Sequence, residues 1–218
     1  MKLETARLTL RKPRLGDWKD IVEGVSEYDV AKMTKSIPHP YARKDAEWWI
    51  KLVIKNWAKT GYAFAIELKA EKKVIGVMGL HNLNLFNGTS STGSWVNKKY
   101  WRKGYITEAK IAVNDFAFNT LKLRRLNSTV NIINKASNAT QLKVGYVFEG
   151  VQRKGSKSKA SGKVCDLNMY GLLKEDWKKA RVKLVEKKKA ASQIKIPEQN
   201  KCPGIFAAHF EKGLLFHF

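Results

Sequence analysis

The chain has 218 residues, enough for one ordinary domain or for one domain with an appendage. Apolar residues make up 44%, including seven tryptophans, so a packed core is within reach, yet no apolar run approaches the ~18 residues of a membrane helix and "MKLETARLTLRKP" carries no apolar signal segment. Forty-two Lys and Arg against nineteen Asp and Glu leave a charge of +23, which draws polyanions (RNA, ribosomes, acidic membranes, phosphorylated cofactors) or else forms a solvated lysine-rich surface; charge alone names no partner.

The two cysteines, Cys165 and Cys202, lie far apart and fit no metal spacing, so no metal is expected and a reducing cytoplasm is the expected compartment. Along the chain, residues 6–12 alternate Leu8 and Leu10 with Arg7, Thr9 and Arg11, as a half-buried strand does. Asp17 opens a helix with Trp18, Ile21, Val22 and Val25 on one face. "SIPHPY" at 36–41 is a proline-stiffened loop, and residues 43–59 form a second amphipathic helix. Strands are predicted over 62–69, 74–85 and 92–97, with turns at 70–73 and 86–91. A helix follows Gly104, with Ala109, Ala112, Val113, Phe116 and Ala117 inward. Then come a strand at 125–131, a short helix at 137–144 capped by Ser137, a strand at 145–151, a mobile basic loop at 152–163 and a strand at 164–172.

That order predicts an α/β (α+β) protein with a mixed sheet. Residues 174–195 carry nine cations against three acids and allow a further amphipathic helix. Beyond Pro197 no period is visible; a docking tail, a partner-binding segment and loosely ordered chain all fit. The expected division is a domain over 1–178 and a basic extension over 179–218, in a monomer or a homodimer.

"YWRKGYITEAK" at 100–110 places two cations and a glycine where a helix begins. The first turn of a helix leaves about four N–H groups without internal partners, in the positive end of the helix dipole, and an anionic phosphate fits there. Gly104 keeps a Cβ away from the approaching oxygens. Neither the Rossmann nor the P-loop pattern is present. An ordinary basic loop capped by Gly104 is the alternative.

"YWRKGYITEA" followed by "NKASNATQLKVGYVFEG" resembles the GNAT acetyltransferase superfamily. With "LETARLTLRKPRLGD" and "DLNMYGLLKEDW" it is similar to the branch that acetylates protein N-termini, including ribosomal-protein alanine and serine acetyltransferases, over about residues 3–178. The resemblance implies a GNAT fold, whose largely antiparallel sheet splays at a cofactor cleft between flanking helices, and acetyl-CoA as cofactor. It implies that backbone amides of Arg102, Lys103, Gly104, Tyr105, Ile106 and Thr107 hold the pyrophosphate. Ile106 departs from the small residue usual at its position; a side chain turned into the core leaves its N–H available. The resemblance also implies that strand 92–97 parts from strand 145–151, with backbone groups of Trp95, Val96 and Asn97 on the pantetheine. Asn134 is implied as a cofactor ligand, Ser137 as the hydrogen-bond partner of the departing sulfur or a plain N-cap, and Tyr146 as an aromatic neighbour of the cofactor or a core residue.

The implied reaction is direct attack of an amine on acetyl-CoA. No strong base is evident in the sequence; His81, Glu67 and Glu149 are the candidates, whereas Glu108 is expected to support its helix. The acceptor is expected to be a protein or peptide N-terminus, crossing the loop at 37–41 and the basic loop at 152–163. Acetylation of a small amine and a non-catalytic RNA- or ribosome-binding module remain the rival readings.

Overall fold

The computed structural model describes residues 1–193, with side chains through 186. Eight strands form one sheet in the order β1-β2-β3-β4-β5-β6-β8-β7. They are β1 (Lys2–Glu4), β2 (Leu8–Arg11), β3 (Tyr62–Leu68), β4 (Lys73–Asn84), β5 (Thr89–Val96), β6 (Arg125–Asn131), β7 (Val147–Lys157) and β8 (Val164–Leu173). All neighbours are antiparallel except β5 and β6, which run parallel. The helices are α1 (Trp18–Ser26), α2 (Tyr28–Ala31), α3 (Arg43–Asn56), α4 (Tyr105–Asp115), α5 (Lys135–Lys143) and α6 (Lys174–Gln193).

The period-two pattern of β3 sorts its side chains between two layers. Phe64, Ile66 and Leu68 join the larger core with Val113 and Phe116 of the α4 side. Ala65 faces the other layer, where Ile21 of α1 and Ile50 of α3 pack. Tyr62 and Phe64 meet Phe116 edge to face at 5.1 and 5.8 Å, the geometry favoured by ring quadrupoles. The mixed α/β sheet read from the element order is therefore the observed fold.

Two local expectations are corrected, and two elements are added to what was read. Ahead of the strand read at 6–12, observed as β2, residues 2–4 pair with residues 9–11 as a short edge. Helix α5 starts at Lys135, capped by Asn134, whose Oδ1 accepts from the Ser137 N–H at 3.1 Å; Ser137 lies in the first turn and is not the cap. The first half of the basic stretch at 152–163 is strand: β7 runs to Lys157, paired with β8 at Ser156–Cys165 and Lys157–Val164, and the turn is confined to the remaining residues. Its ladder to β8 holds the strand at Gln152 and at Ser156–Lys157, and its largely exposed faces let the cations stay hydrated. Finally, helix α6 packs on the domain past residue 178. Trp177 is buried and donates to Asp115 Oδ1 at 3.0 Å, Arg181 pairs with Asp115 at 2.9 Å, and Leu184 reaches the core. The segment beyond Pro197 lies outside the described residues.

The feature that positions the site is a fork in the sheet. β5 and β6 pair only from Thr89–Arg125 to Thr92–Ser128. From there β5 follows β4 to Val96, while β6 follows β8 to Asn131. The strand that parts from β5 is thus 125–131, not 145–151 as expected. Strand β8 inserts between β6 and β7 and sends 145–151 to the sheet edge.

Candidate active site

The loop before α4 is built from two left-handed residues, Arg102 (φ 61) and Gly104 (φ 77, the N-cap). The first bond of the helix runs from the Glu108 N–H to the Gly104 carbonyl at 3.0 Å. Upstream of it, the amides of residues 102–107 meet no acceptor among the described residues. Six donors are thus left at the positive end of an eleven-residue helix, as an anion site requires. A Cβ on Gly104 would meet only Arg7 Nη2, at 3.6 Å. The glycine is required by its backbone conformation rather than by crowding within the protein.

Side chains brace the loop. Arg7 stacks its guanidinium on the Tyr105 ring at 4.4 Å and donates to the Lys103 carbonyl at 3.0 Å. Glu108 accepts from Arg7 Nε at 2.7 Å and from Thr5 Oγ1 at 2.6 Å, tying the N-terminal strands to α4 as its supporting role anticipated. The Ile106 side chain packs against the core.

Around the fork lies a cleft of about 880 Å³. Trp95, His81, Asn134 and Ser137 line it, as do Ile37, Pro38 and Tyr41 of the proline loop and Ser156, Ser158 and Lys159 of the β7–β8 arm. His81 shares a sheet face with Gly79 and Gly93, and its ring lies over both. Its edge is open to solvent, but the flanking protein strips away part of its hydration and lowers its pKa, so the imidazole is neutral at pH 7. On the same face, Lys35 donates to Thr129 Oγ1 at 2.7 Å, just beyond the last β5–β6 pair.

Strand alternation divides the expected β5 ligands. The Asn97 N–H donates to the Ile75 carbonyl at 2.8 Å, and its side chain accepts from the Lys99 N–H; Asn97 is withdrawn as a backbone ligand. One residue earlier, Val96 faces the fork, and its carbonyl accepts from Trp101 Nε1 at 2.8 Å. The Trp95 ring lies on Gly24 of α1, where a Cβ would collide with it at 2.5 Å.

Two carboxylates drop out as bases because they are engaged away from the cleft. Glu67 accepts from Arg11 Nε at 2.6 Å, while the rest of that buried guanidinium forms a two-pronged pair with Asp17 at 2.8 Å. Glu149 pairs with Arg125 at the start of β6, at the closed end of the fork and outside the cleft lining.

On the α4 side of the fork lies a buried polar cluster around Tyr146, whose lysine the sequence reading missed. Lys110 is 1% exposed, and its Nζ donates to Thr92 Oγ1 at 3.2 Å and sits 4.8 Å over the Tyr146 ring. Tyr146 OH lies 3.1 Å from Thr92 Oγ1 and 3.4 Å from Asn114 Oδ1. Burial pushes the phenol's pKa up and brings that of Lys110 down to about 7. Asn114 Nδ2 and Gln141 Oε1 are buried with no partner among the described residues. One signal in the sequence reveals this lysine: it continues the stripe Ile106, Val113 and Ala117 at helical spacing, where an apolar residue belongs.

The family model of the acetyltransferase (GNAT) domain matches residues 7–147. An uncharacterised N-acetyltransferase of Bacillus licheniformis, p20, is 29% identical over 177 residues, covering 80% of this chain and 97% of its own. The ribosomal-protein-serine acetyltransferase of Escherichia coli is 28% identical over 90 residues, 41% of this chain and 50% of its own. The crystal structure of a GNAT-family acetyltransferase from Bacillus anthracis superposes with a TM-score of 0.70 at 27% identity, covering 80% of this chain and 99% of that one.

Proposed function

The chain belongs to the GNAT family of acetyltransferases, and on that premise we propose that it transfers acetyl from acetyl-CoA to the N-terminal α-amine of a protein, with a ribosomal protein as the favoured acceptor. The observation that carries the cofactor half is the row of unpartnered amides at 102–107, set beside a fork from which β6 has withdrawn. These donors and the helix dipole suit a diphosphate; Arg102 and Lys103 add charge. The Val96 N–H faces the fork and suits a thioester oxygen, which it would polarise as an oxyanion-hole donor does. Asn134 and Ser137 bring an amide and a hydroxyl to the same cleft.

Bound acetyl-CoA supplies an activated acyl group; the chain supplies position and proton transfer. An α-amine has a pKa near 8, so roughly a tenth is neutral at pH 7, far more than for a lysine side chain. His81, neutral and lining the cleft, takes the proton such an amine loses. The proline loop and the β7–β8 arm form walls between which an extended N-terminus fits. The cations of the cleft, Lys35 and Lys159 among them, disfavour polyamine-like acceptors.

A panel of N-terminal peptides and ribosomal proteins, incubated with acetyl-CoA and read by mass spectrometry, tests the reading. Acetylation on α-amines is the expected result. Acetyl-CoA binding with no acetylated peptide in the panel would remove the acceptor assignment.

A further inference from the structure

Lys110 occupies a position that neither packing nor ion pairing accounts for. It reaches the fork from α4, beside Thr92, the last β5 residue that pairs with β6. Its Nζ faces Thr92 of β5, Tyr146 of the α5–β7 link and, through that phenol, Asn114 of its own helix. None of these carries a charge at neutral pH, and no carboxylate lies within ion-pair reach among the described residues. A buried lysine normally requires a counter-charge; without one, the site destabilises the fold. Yet Lys110 lines the same cleft as Ser128 and Gln141, whose unpartnered carbonyl oxygen is buried there.

Taking acetyl-CoA binding at the fork as given above, we propose that Lys110 is a catalytic acid that protonates the coenzyme A sulfur as the acetyl group leaves it. The carbon–sulfur bond breaks as the carbon–nitrogen bond to the acceptor forms. The sulfur leaves with the electron pair and takes a proton from Lys110 Nζ; the acceptor nitrogen gives its surplus proton to His81 and thence to solvent. Lys110 regains its own through the cleft it lines. His81 and Lys110 serve opposite sides of the sheet: His81 shares the face of Gly93, and Thr92, the partner of Lys110, points to the other face. One group therefore serves the incoming amine and the other the outgoing sulfur. A hydroxyl such as that of Ser137 can orient the sulfur, but an ammonium whose pKa has fallen to about 7 gives up its proton far more readily.

Binding of free coenzyme A tests this without an acceptor. The thiolate absorbance of coenzyme A bound to the full chain is followed against pH, in the wild type and in Lys110→Met. An ammonium close to the sulfur makes the bound thiol about tenfold or more acidic in the wild type than in the variant, the effect of an opposite charge within ~4–6 Å. Equal thiol titration in two proteins that both bind coenzyme A overturns the proposal and leaves the acetyltransferase reading intact. Failure of the wild type to bind coenzyme A overturns that reading and the proposal with it. Should Lys110→Met not fold, ¹³C-lysine NMR of the wild type decides the matter. One amine titrating near neutrality, and responding to coenzyme A but not to its desulfo analogue, supports the role, whereas no lysine titrating below pH 9 excludes it.

Discussion

Gly104 and Lys110 are opposite lessons at the scale of single residues. Gly104 was legible because cations, a glycine and a helix start fell together within a few residues. Its φ of 77 now gives the reason in backbone terms. Gly104→Val should strain this left-handed residue by about 1–2 kcal/mol and scatter the amides of 102–107. The expected result is acetyl-CoA affinity lower by about tenfold, by calorimetry, for each ~1.4 kcal/mol of lost interaction. Gly88→Val, at a similar φ of 61 in the β4–β5 turn, is the control and should leave affinity unchanged. Lys110 was hidden because a lysine on a helix reads as solvated until its wheel position is checked. The unfolded chain keeps this lysine protonated to about its ordinary 10.5, the folded chain only to about 7. Between those values the unfolded state binds more protons, so stability rises with pH across that window. Lys110→Met removes the penalty. It should melt higher than the wild type at pH 7, and the gap should close as pH approaches 10.5, as scanning calorimetry would show.

At the scale of elements, the periodic segments and the meander over 62–97 were read correctly, and the strand that parts from β5 was not. Strand β3 announced itself by alternation, β4 by its return after the turn at 70–73, and α1 and α3 by their apolar faces. The fork depends on which strand neighbours β5, and that is set by β8 inserting between β6 and β7 nearly 40 residues downstream, a contact no local pattern encodes. The first half of the stretch at 152–163 was misread because charge and glycine suggest a loop, whereas two solvated strands need only each other's backbone. Glu67 was drawn into the candidate base list by its strand, with nothing in the sequence to show that Arg11 holds it. That network ties β2, β3 and the turn before α1 together. Arg11→Met leaves Asp17 buried without its partner and should cost about 3–5 kcal/mol. Urea unfolding would register this as a lower midpoint at unchanged slope, and acetyl-CoA binding by the folded fraction should persist. A variant as stable as the wild type would mean that the pair contributes nothing to the fold.

For the whole molecule, composition and element order were enough for a mixed α/β fold, and the family's landmarks in their order pointed to the loop at 102–107 as the proposed cofactor loop. The charge of +23 was legible and uninformative in the same stroke, because it is spread over arm, helix and loops rather than gathered into one motif. Part of it lines the cleft itself, at Lys35, Lys110 and Lys159. On the proposed function, a phosphorylated cofactor enters from the α4 end and an acceptor from the opposite face. A crystal structure of the chain with coenzyme A tests this most directly. The account predicts the diphosphate on the amides of residues 102–107 and the pantetheine between β5 and β6. A coenzyme bound elsewhere, with those amides turned to other partners and the two strands zipped together past Thr92, would contradict it.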